Sequence, residues 1–238
     1  MMKKIEQLKA IIDRSNNIVF FGGAGVSVPS GIPDFRGSDG LEKQKIPFEI
    51  ILSHDYFLDN PDVFYPLYRE KLIFPDAKPN AAHDALVKLE KTGKLKAVIT
   101  QNIDNLHQKA GSSKVIELHG SVYRNYCINC NKKYKIDVIL KAQDVPHCEC
   151  GGIIRPDIVF YQESLDSQVL SEAIFYLSKA DTLIVSGTSL VVYPAAGLIR
   201  YFTGDNLVII NKSRTDYDRH ADLVIYDSVD EVLSAAVE

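Results

Sequence analysis

Ile18-Val19-Phe20-Phe21-Gly22-Gly23-Ala24-Gly25 joins four consecutive apolar residues to a cluster of glycines. An apolar run without polar alternation fits a strand covered on both faces, as in a parallel sheet flanked by helices. The glycines let the chain turn tightly where the strand ends, and let backbone approach a pyrophosphate. The same apolar pattern recurs at Lys96–Thr100, Val115–Leu118, Asp157–Tyr161, Thr182–Ser186, Leu207–Ile210 and Leu223–Tyr226. Helical periodicity fills Lys3–Ser15, Asn80–Lys91, Ile103–Ala110, Ser167–Ser178, Pro194–Phe202 and Val229–Ala236. This alternation predicts an α/β fold with a doubly wound, mostly parallel, Rossmann-like sheet.

Two stretches interrupt it. Residues 37–78 carry Pro47, Pro61, Pro66 and Pro75 among aromatics, and read as a helical and loop insertion. Residues 122–154 hold every cysteine and read as a small metal-binding module. The Rossmann-like domain is then expected from 1–36, 79–121 and 155–238. With 46% hydrophobic and 24% charged residues, the chain can bury a sizeable core. A net charge of −4 gives no sign of nucleic-acid or membrane-surface binding. The charged N-terminus shows no signal peptide and no apolar run reaches membrane-spanning length, so a cytoplasmic protein is expected.

Polar residues gather where the predicted strands end, which is where an open α/β sheet binds ligands. The dehydrogenase fingerprint is incomplete: Val28 occupies its third glycine position, and no second strand follows to supply the acidic residue. Ser30-Gly31-Ile32-Pro33-Asp34-Phe35-Arg36-Gly37 is too rich in Gly and Pro for a regular element. It is either a plain surface loop with a local ion pair or a loop that closes over a ligand. Gln101-Asn102-Ile103-Asp104 follows the second strand, with Asn102 a candidate helix cap. Capping explains Asn102 alone, not Gln101 and Asp104 beside it. His119 ends the third strand on the same edge, where an imidazole can serve as general base. Gly187-Thr188-Ser189 and Asn211 follow later strands and suit a ribose or phosphate, although each alone could be a turn.

Cys127-x-x-Cys130 and Cys148-x-Cys150 form two close pairs seventeen residues apart, a set suited to tetrahedral zinc with four thiolates. Four protein ligands leave no open position, so the zinc reads as structural. The second pair is one residue shorter than usual, which makes His147 an alternative ligand.

Together these residues resemble the sirtuin family of NAD-dependent protein deacylases. The resemblance rests on Gly23-Ala24-Gly25-x-Ser27, Gly31-Ile32-Pro33-Asp34-Phe35-Arg36, Thr100-Gln101-Asn102-Ile103-Asp104-x-Leu106-His107, His119-Gly120, the cysteine module, Arg155-Pro156-x-Ile158-Val159-Phe160 and Gly187-Thr188-Ser189-Leu190. It implies that NAD is consumed: the acyl oxygen of a modified lysine attacks the ribose carbon as nicotinamide leaves. It further implies that Asn102, Ile103 and Asp104 shape the nicotinamide pocket and that Phe35 covers the reacting ribose. Ala24, Gly25, Ser27, Val28 and Arg36 would hold the cofactor, with Gln101 on the ribose. Gly187, Thr188, Ser189 and Asn211 would take the adenosine half, and His119 would be the general base. The partner would be acetylated lysine in a protein or peptide, lying as a strand against Val159, Phe160, Tyr161 and Val191.

Some positions depart from the family pattern. Gly22 stands where many members carry threonine, Val28 where many carry a small polar residue, and Gln162 where glycine is common. Members that remove acidic acyl groups carry Tyr-x-x-Arg, whereas this chain reads Tyr65-Pro66-Leu67-Tyr68 with Arg69 one place late. One residue turns a helical side chain by about 100°, so acetyl-lysine is the expected substrate. ADP-ribosyl transfer to a protein, preference for longer acyl groups, a silent NAD-responsive binding module and a dehydrogenase are the competing readings.

Overall fold

The computed structural model describes residues 2–34 and 46–237. The chain opens with α1 (Met2–Arg14) and β1 (Ile18–Gly22), then two 3-10 turns, Ala24–Val26 and Val28–Ser30. Three short helices follow: α2 (Phe48–Ile51), α3 (His54–Asp59) and α4 (Pro61–Lys71). Next come α5 (Ala81–Lys91), β2 (Leu95–Thr100), α6 (Leu106–Ala110) and β3 (Val115–Glu117). The cysteine region holds β4 (Gly120–Cys127), β5 (Lys133–Lys135), α7 (Asp137–Lys141) and β6 (Ile154–Ile158). The chain closes with α8 (Ser167–Lys179), β7 (Thr182–Ser186), a 3-10 helix at Ala195–Tyr201, β8 (Asn206–Ile210), β9 (Leu223–Ile225) and α9 (Val229–Ala236).

Six strands form one parallel sheet in the order β3-β2-β1-β7-β8-β9. Alternate residues of β1 explain its unbroken apolar run. Ile18 and Phe20 enter a core built with α1, α5 and α9. Val19 and Phe21 enter the opposite core, built with α8 and the Ala195–Tyr201 helix. Burying both faces is what a parallel sheet requires.

The strand expected at Asp157–Tyr161 is not part of this sheet. The observed strand begins three residues earlier, spans Ile154–Ile158, and pairs antiparallel with β4 in a separate sheet ordered β5-β4-β6. The apolar run arises because Ile158 and Phe160 point into a third core, not because the strand is central to the large sheet. Pro156 lacks a backbone donor, and the β4–β6 ladder shifts register between Ser121 and Asn125. Gly120 is forced at this crossing: φ is +76°, and a Cβ there would sit 2.0 Å from the Asp157 carbonyl oxygen.

The third core joins the two interrupting stretches. Phe57, Phe64, Tyr65 and Tyr68 from α3 and α4 pack with Val122, Cys127, Cys148, Ile154 and Phe160. Phe57, Phe64, Tyr65 and Phe160 meet largely edge to face, which suits aromatic quadrupoles. Among the described residues no helix is long and apolar enough to cross a membrane.

Candidate functional site

The polar motifs converge at the carboxyl ends of β1, β2, β3, β7 and β8. Gln101 N–H donates to the Gly22 carbonyl at 2.9 Å, joining the exits of β2 and β1. Gly25 N–H donates to the Gly187 carbonyl at 2.8 Å, joining β1 to β7. A Cβ on Gly25 would lie 2.7 Å from Gly187 Cα, and one on Gly187 would lie 2.5 Å from Val26 N. These glycines therefore serve the contact between two loops as much as the approach of a ligand.

Ser27 sits at the centre of the site. Its hydroxyl donates to Asp104 Oδ2 at 2.6 Å and accepts from Asn102 Nδ2 at 3.0 Å. Asp104 Oδ1 accepts from Leu106 N at 2.9 Å and so holds the start of α6. The capping expected of Asn102 thus falls to Asp104, while Asn102 faces Ser27. Asn105 allows this turn by adopting φ +62°, which asparagine tolerates better than most residues. Burial pushes the Asp104 carboxyl above the usual range; the Ser27 hydroxyl and the Leu106 N–H work against that rise.

His119 is half-buried beside this group, and its Nδ1 lies 2.9 Å from the Gln101 carbonyl oxygen. A carbonyl only accepts, so Nδ1 carries the proton and the Nε2 lone pair remains available. Burial lowers the imidazole pKa below 6.5, opposed by the bond to Gln101. The ring is therefore neutral at pH 7.

Gln101 Nε2 donates to Thr188 Oγ1 at 3.1 Å. Asn211 clasps the Thr188 backbone from both sides, accepting from its N–H at 3.2 Å and donating to its carbonyl at 2.9 Å. Ala24, Val28 and Ser189 lie on the same loops. Ile103 packs against the third core, and its carbonyl accepts from Val122 N at 3.1 Å, so this stretch bridges the two sheets. Phe35 and Arg36 lie outside the described residues.

The four residues read as peptide contacts differ in surroundings. Val159 N–H donates to the His119 carbonyl at 3.1 Å. Phe160 is buried in the third core, with the Arg155 guanidinium 4.6 Å from its ring centroid. Tyr161 is 40% exposed, but its N–H and carbonyl are bonded to Leu52 and His54. Val191 is exposed on the loop after β7. Arg155 braces this segment through paired contacts to Glu163 at 2.8 and 3.0 Å.

Cys127, Cys130, Cys148 and Cys150 place their sulfurs within 4.8 Å of one another. The Cys127–Cys150 and Cys130–Cys148 separations are 3.4 and 3.6 Å. Zn–S bonds of about 2.3 Å give tetrahedral S–S edges of roughly 3.8 Å, whereas disulfide sulfurs lie about 2.05 Å apart. The four thiols therefore fit a closed structural zinc site, and the short Cys148-x-Cys150 spacing does not prevent it. His147 lies outside the cluster, with Nδ1 2.8 Å from the Val145 carbonyl oxygen. Tyr134 supports the site by donating to Cys148 Sγ at 3.0 Å.

Sequence reading missed Asn80 as a member of the site. Its signal was available as a capping pattern, Asn80 followed three residues later by His83. The pattern locates a helix start but does not say what else Asn80 holds.

Comparison with known proteins adds independent findings. The Sir2 family model matches residues 23–194. The chain is 59% identical to an NAD-dependent protein deacetylase of Clostridium perfringens, with 100% of both chains covered. It is 55% identical to one of Clostridium acetobutylicum, covering 100% of this chain and 99% of that one. Among solved structures, one of Sir2 with a deacetylated p53 peptide and 3′-O-acetyl-ADP-ribose matches with a TM-score of 0.91 and 44% identity, covering 98% of this chain and 99% of that one. One of Sir2 with a p53 peptide and NAD+ matches at 0.85 and 46%, covering 98% and 95%.

Proposed function

The chain belongs to the Sir2 family, and from that premise we propose an NAD-dependent protein lysine deacetylase that moves the acetyl group onto ADP-ribose and releases nicotinamide. The observation that carries this reading is the grouping of Ser27, Asn102, Asp104 and His119 on one sheet edge. NAD supplies the ribose carbon that the acyl oxygen of acetyl-lysine attacks. Asn102 and Asp104, tied together through Ser27, shape the nicotinamide end of the pocket with Ile103. His119 takes a proton from a ribose hydroxyl at Nε2, the nitrogen left free by its bond to Gln101. Gln101 meets the ribose, and Ala24, Gly25, Val28, Gly187, Thr188, Ser189 and Asn211 line the rest of the cofactor site. By their place in the sequence motif, Phe35 and Arg36 are assigned to the same cofactor.

Acetylated protein is the partner, lying against Val159, Tyr161 and Val191, with Phe160 supporting this edge from the third core. Zinc is structural, holding the four cysteines of the small domain. The shared core supports one small domain from 46–78 together with 120–160, with the boundary moved past β6. Four thiols kept for a metal fit a reducing, cytoplasmic setting.

Two side chains support acetyl over acidic acyl groups. Tyr65 donates to the Ile154 carbonyl at 2.7 Å, and Arg69 Nε to the Ile139 carbonyl at 2.8 Å. Both are committed to packing within the small domain. Mass spectrometry of acetyl- and succinyl-lysine peptides incubated with NAD tests the reading. Acetyl loss with O-acetyl-ADP-ribose is expected; ADP-ribosylated protein, or faster removal of succinyl, contradicts it.

A further inference from the structure

Asn80 caps α5 with one end of its side chain and grips the cofactor loop with the other. Oδ1 accepts from Ala82 N at 2.9 Å, and Asn80 N–H donates to His83 Nδ1 at 3.2 Å. These bonds form an ordinary capping box and serve the helix alone. The Nδ2 group points the other way. It donates to the Val26 carbonyl and to Ser30 Oγ, each at 2.9 Å.

Those two acceptors flank Ser27, whose hydroxyl joins Asn102 to Asp104. The loop between them is two successive 3-10 turns without side-chain caps of their own. Val26 anchors the first turn through its buried side chain. The second turn is closed by its own backbone bonds, Ser30 N–H to the Ser27 carbonyl and Gly31 N–H to the Val28 carbonyl, and the Asn80 amide ties both turns to the start of α5.

We propose that Asn80 is a positioning residue for NAD: its amide donors hold the loop on both sides of Ser27, so that Ser27 presents its hydroxyl between Asn102 and Asp104. This rests on the reading that those three residues shape the nicotinamide end of the site. The acceptor end of the side chain belongs to the fold and the donor end to the cofactor, so one substitution separates them.

Asn80→Asp is that substitution. Aspartate keeps the oxygen that caps α5 and suits a helix N-terminus. It has no donor for Val26 or Ser30. Calorimetry with NAD on purified wild type and N80D is the test, with thermal melting and acetyl-peptide kinetics alongside. The expected result is a melting temperature close to wild type, NAD affinity about tenfold weaker, and an unchanged KM for peptide at saturating NAD. Tenfold is the scale of losing one or two net hydrogen bonds. Should N80D melt well below wild type, N80S retains a capping oxygen and carries the same comparison. Unchanged NAD affinity in a well-folded variant overturns the proposal, as does equal weakening toward NAD and peptide. Wild-type turnover of the acetyl peptide separately decides the deacetylase reading, because the affinity ratio does not depend on it.

Discussion

At the scale of single residues, the chemistry depends on which nitrogen of His119 holds the proton. The Gln101 carbonyl fixes it on Nδ1 and leaves the Nε2 lone pair free for the base role proposed above. Burial lowers the pKa, so the ring stays neutral to more acid pH than a free imidazole. Turnover should then fall on the acid side with a midpoint below 6.5, as Nε2 takes up a proton. His119→Ala should lower turnover by roughly 100-fold or more, the usual worth of a positioned base. A pH profile of kcat/KM for both proteins checks this, and a wild-type midpoint above 6.5 contradicts the assignment. His119, Asn102 and Asp104 could be picked out from sequence because each sits within a few residues of a recognisable strand end. Asn80 could not, because its partners lie 54 and 50 residues away and only the fold brings them near. The departures at Gly22 and Val28 had no such context either. A Cβ on Gly22 would meet the Phe20 ring at 2.7 Å, a contact within β1 that glycine avoids.

At the scale of elements, α5 and α6 meet through two buried histidines. The rings of His83 and His107 stand 4.7 Å apart, between the sheet and the helices. Burial lowers the His83 pKa from 6.5 to about 4, and that of His107 in the same direction. The unfolded chain therefore binds more protons than the folded one between those values. Stability contributed by neutral His83 is fully present above pH 6.5 and is lost as pH falls toward 4. For His83 the loss is on the order of 3 kcal/mol when complete. Urea unfolding at pH 7.5 and pH 5 should show lower stability at pH 5. His83→Asn, which cannot take up a proton, should shrink that difference; an unchanged difference contradicts the role given to His83. Sequence periodicity found α5 with its start at Asn80 and α9 at its observed bounds. It started α6 too early, because it could not show that Asp104 and a left-handed Asn105 delay the first turn. The helix expected at Pro194–Phe202 is a 3-10 helix at Ala195–Tyr201.

At the scale of the whole molecule, the large sheet has two cores of its own and the cysteine region shares a third with α3 and α4. Alternating strands and helices revealed the first arrangement. The second was hidden because its parts, 46–78 and 120–160, are separated in sequence by α5, β2, α6 and β3. An apolar run such as Ile158–Phe160 looks the same whether it enters one core or another, which is why Asp157–Tyr161 reads from sequence as a strand of the large sheet. Cys127 and Cys148 are members of the third core, so zinc is coupled to it directly. Metal analysis should find one zinc per chain. A strong chelator, or Cys148→Ser, should lower the melting temperature by about 10 °C, equivalent to a few kcal/mol; no shift contradicts a structural role. The large sheet meets the third core where Ile103 packs against it beside Asn102 and Asp104. That junction is where NAD and an acetylated peptide would meet. A mass-spectrometric time course with an acetyl-lysine peptide and NAD tests this most directly. Free lysine peptide, nicotinamide and O-acetyl-ADP-ribose should appear in equal amounts, and nothing without NAD; nicotinamide release with the acetyl group still on the peptide would contradict it.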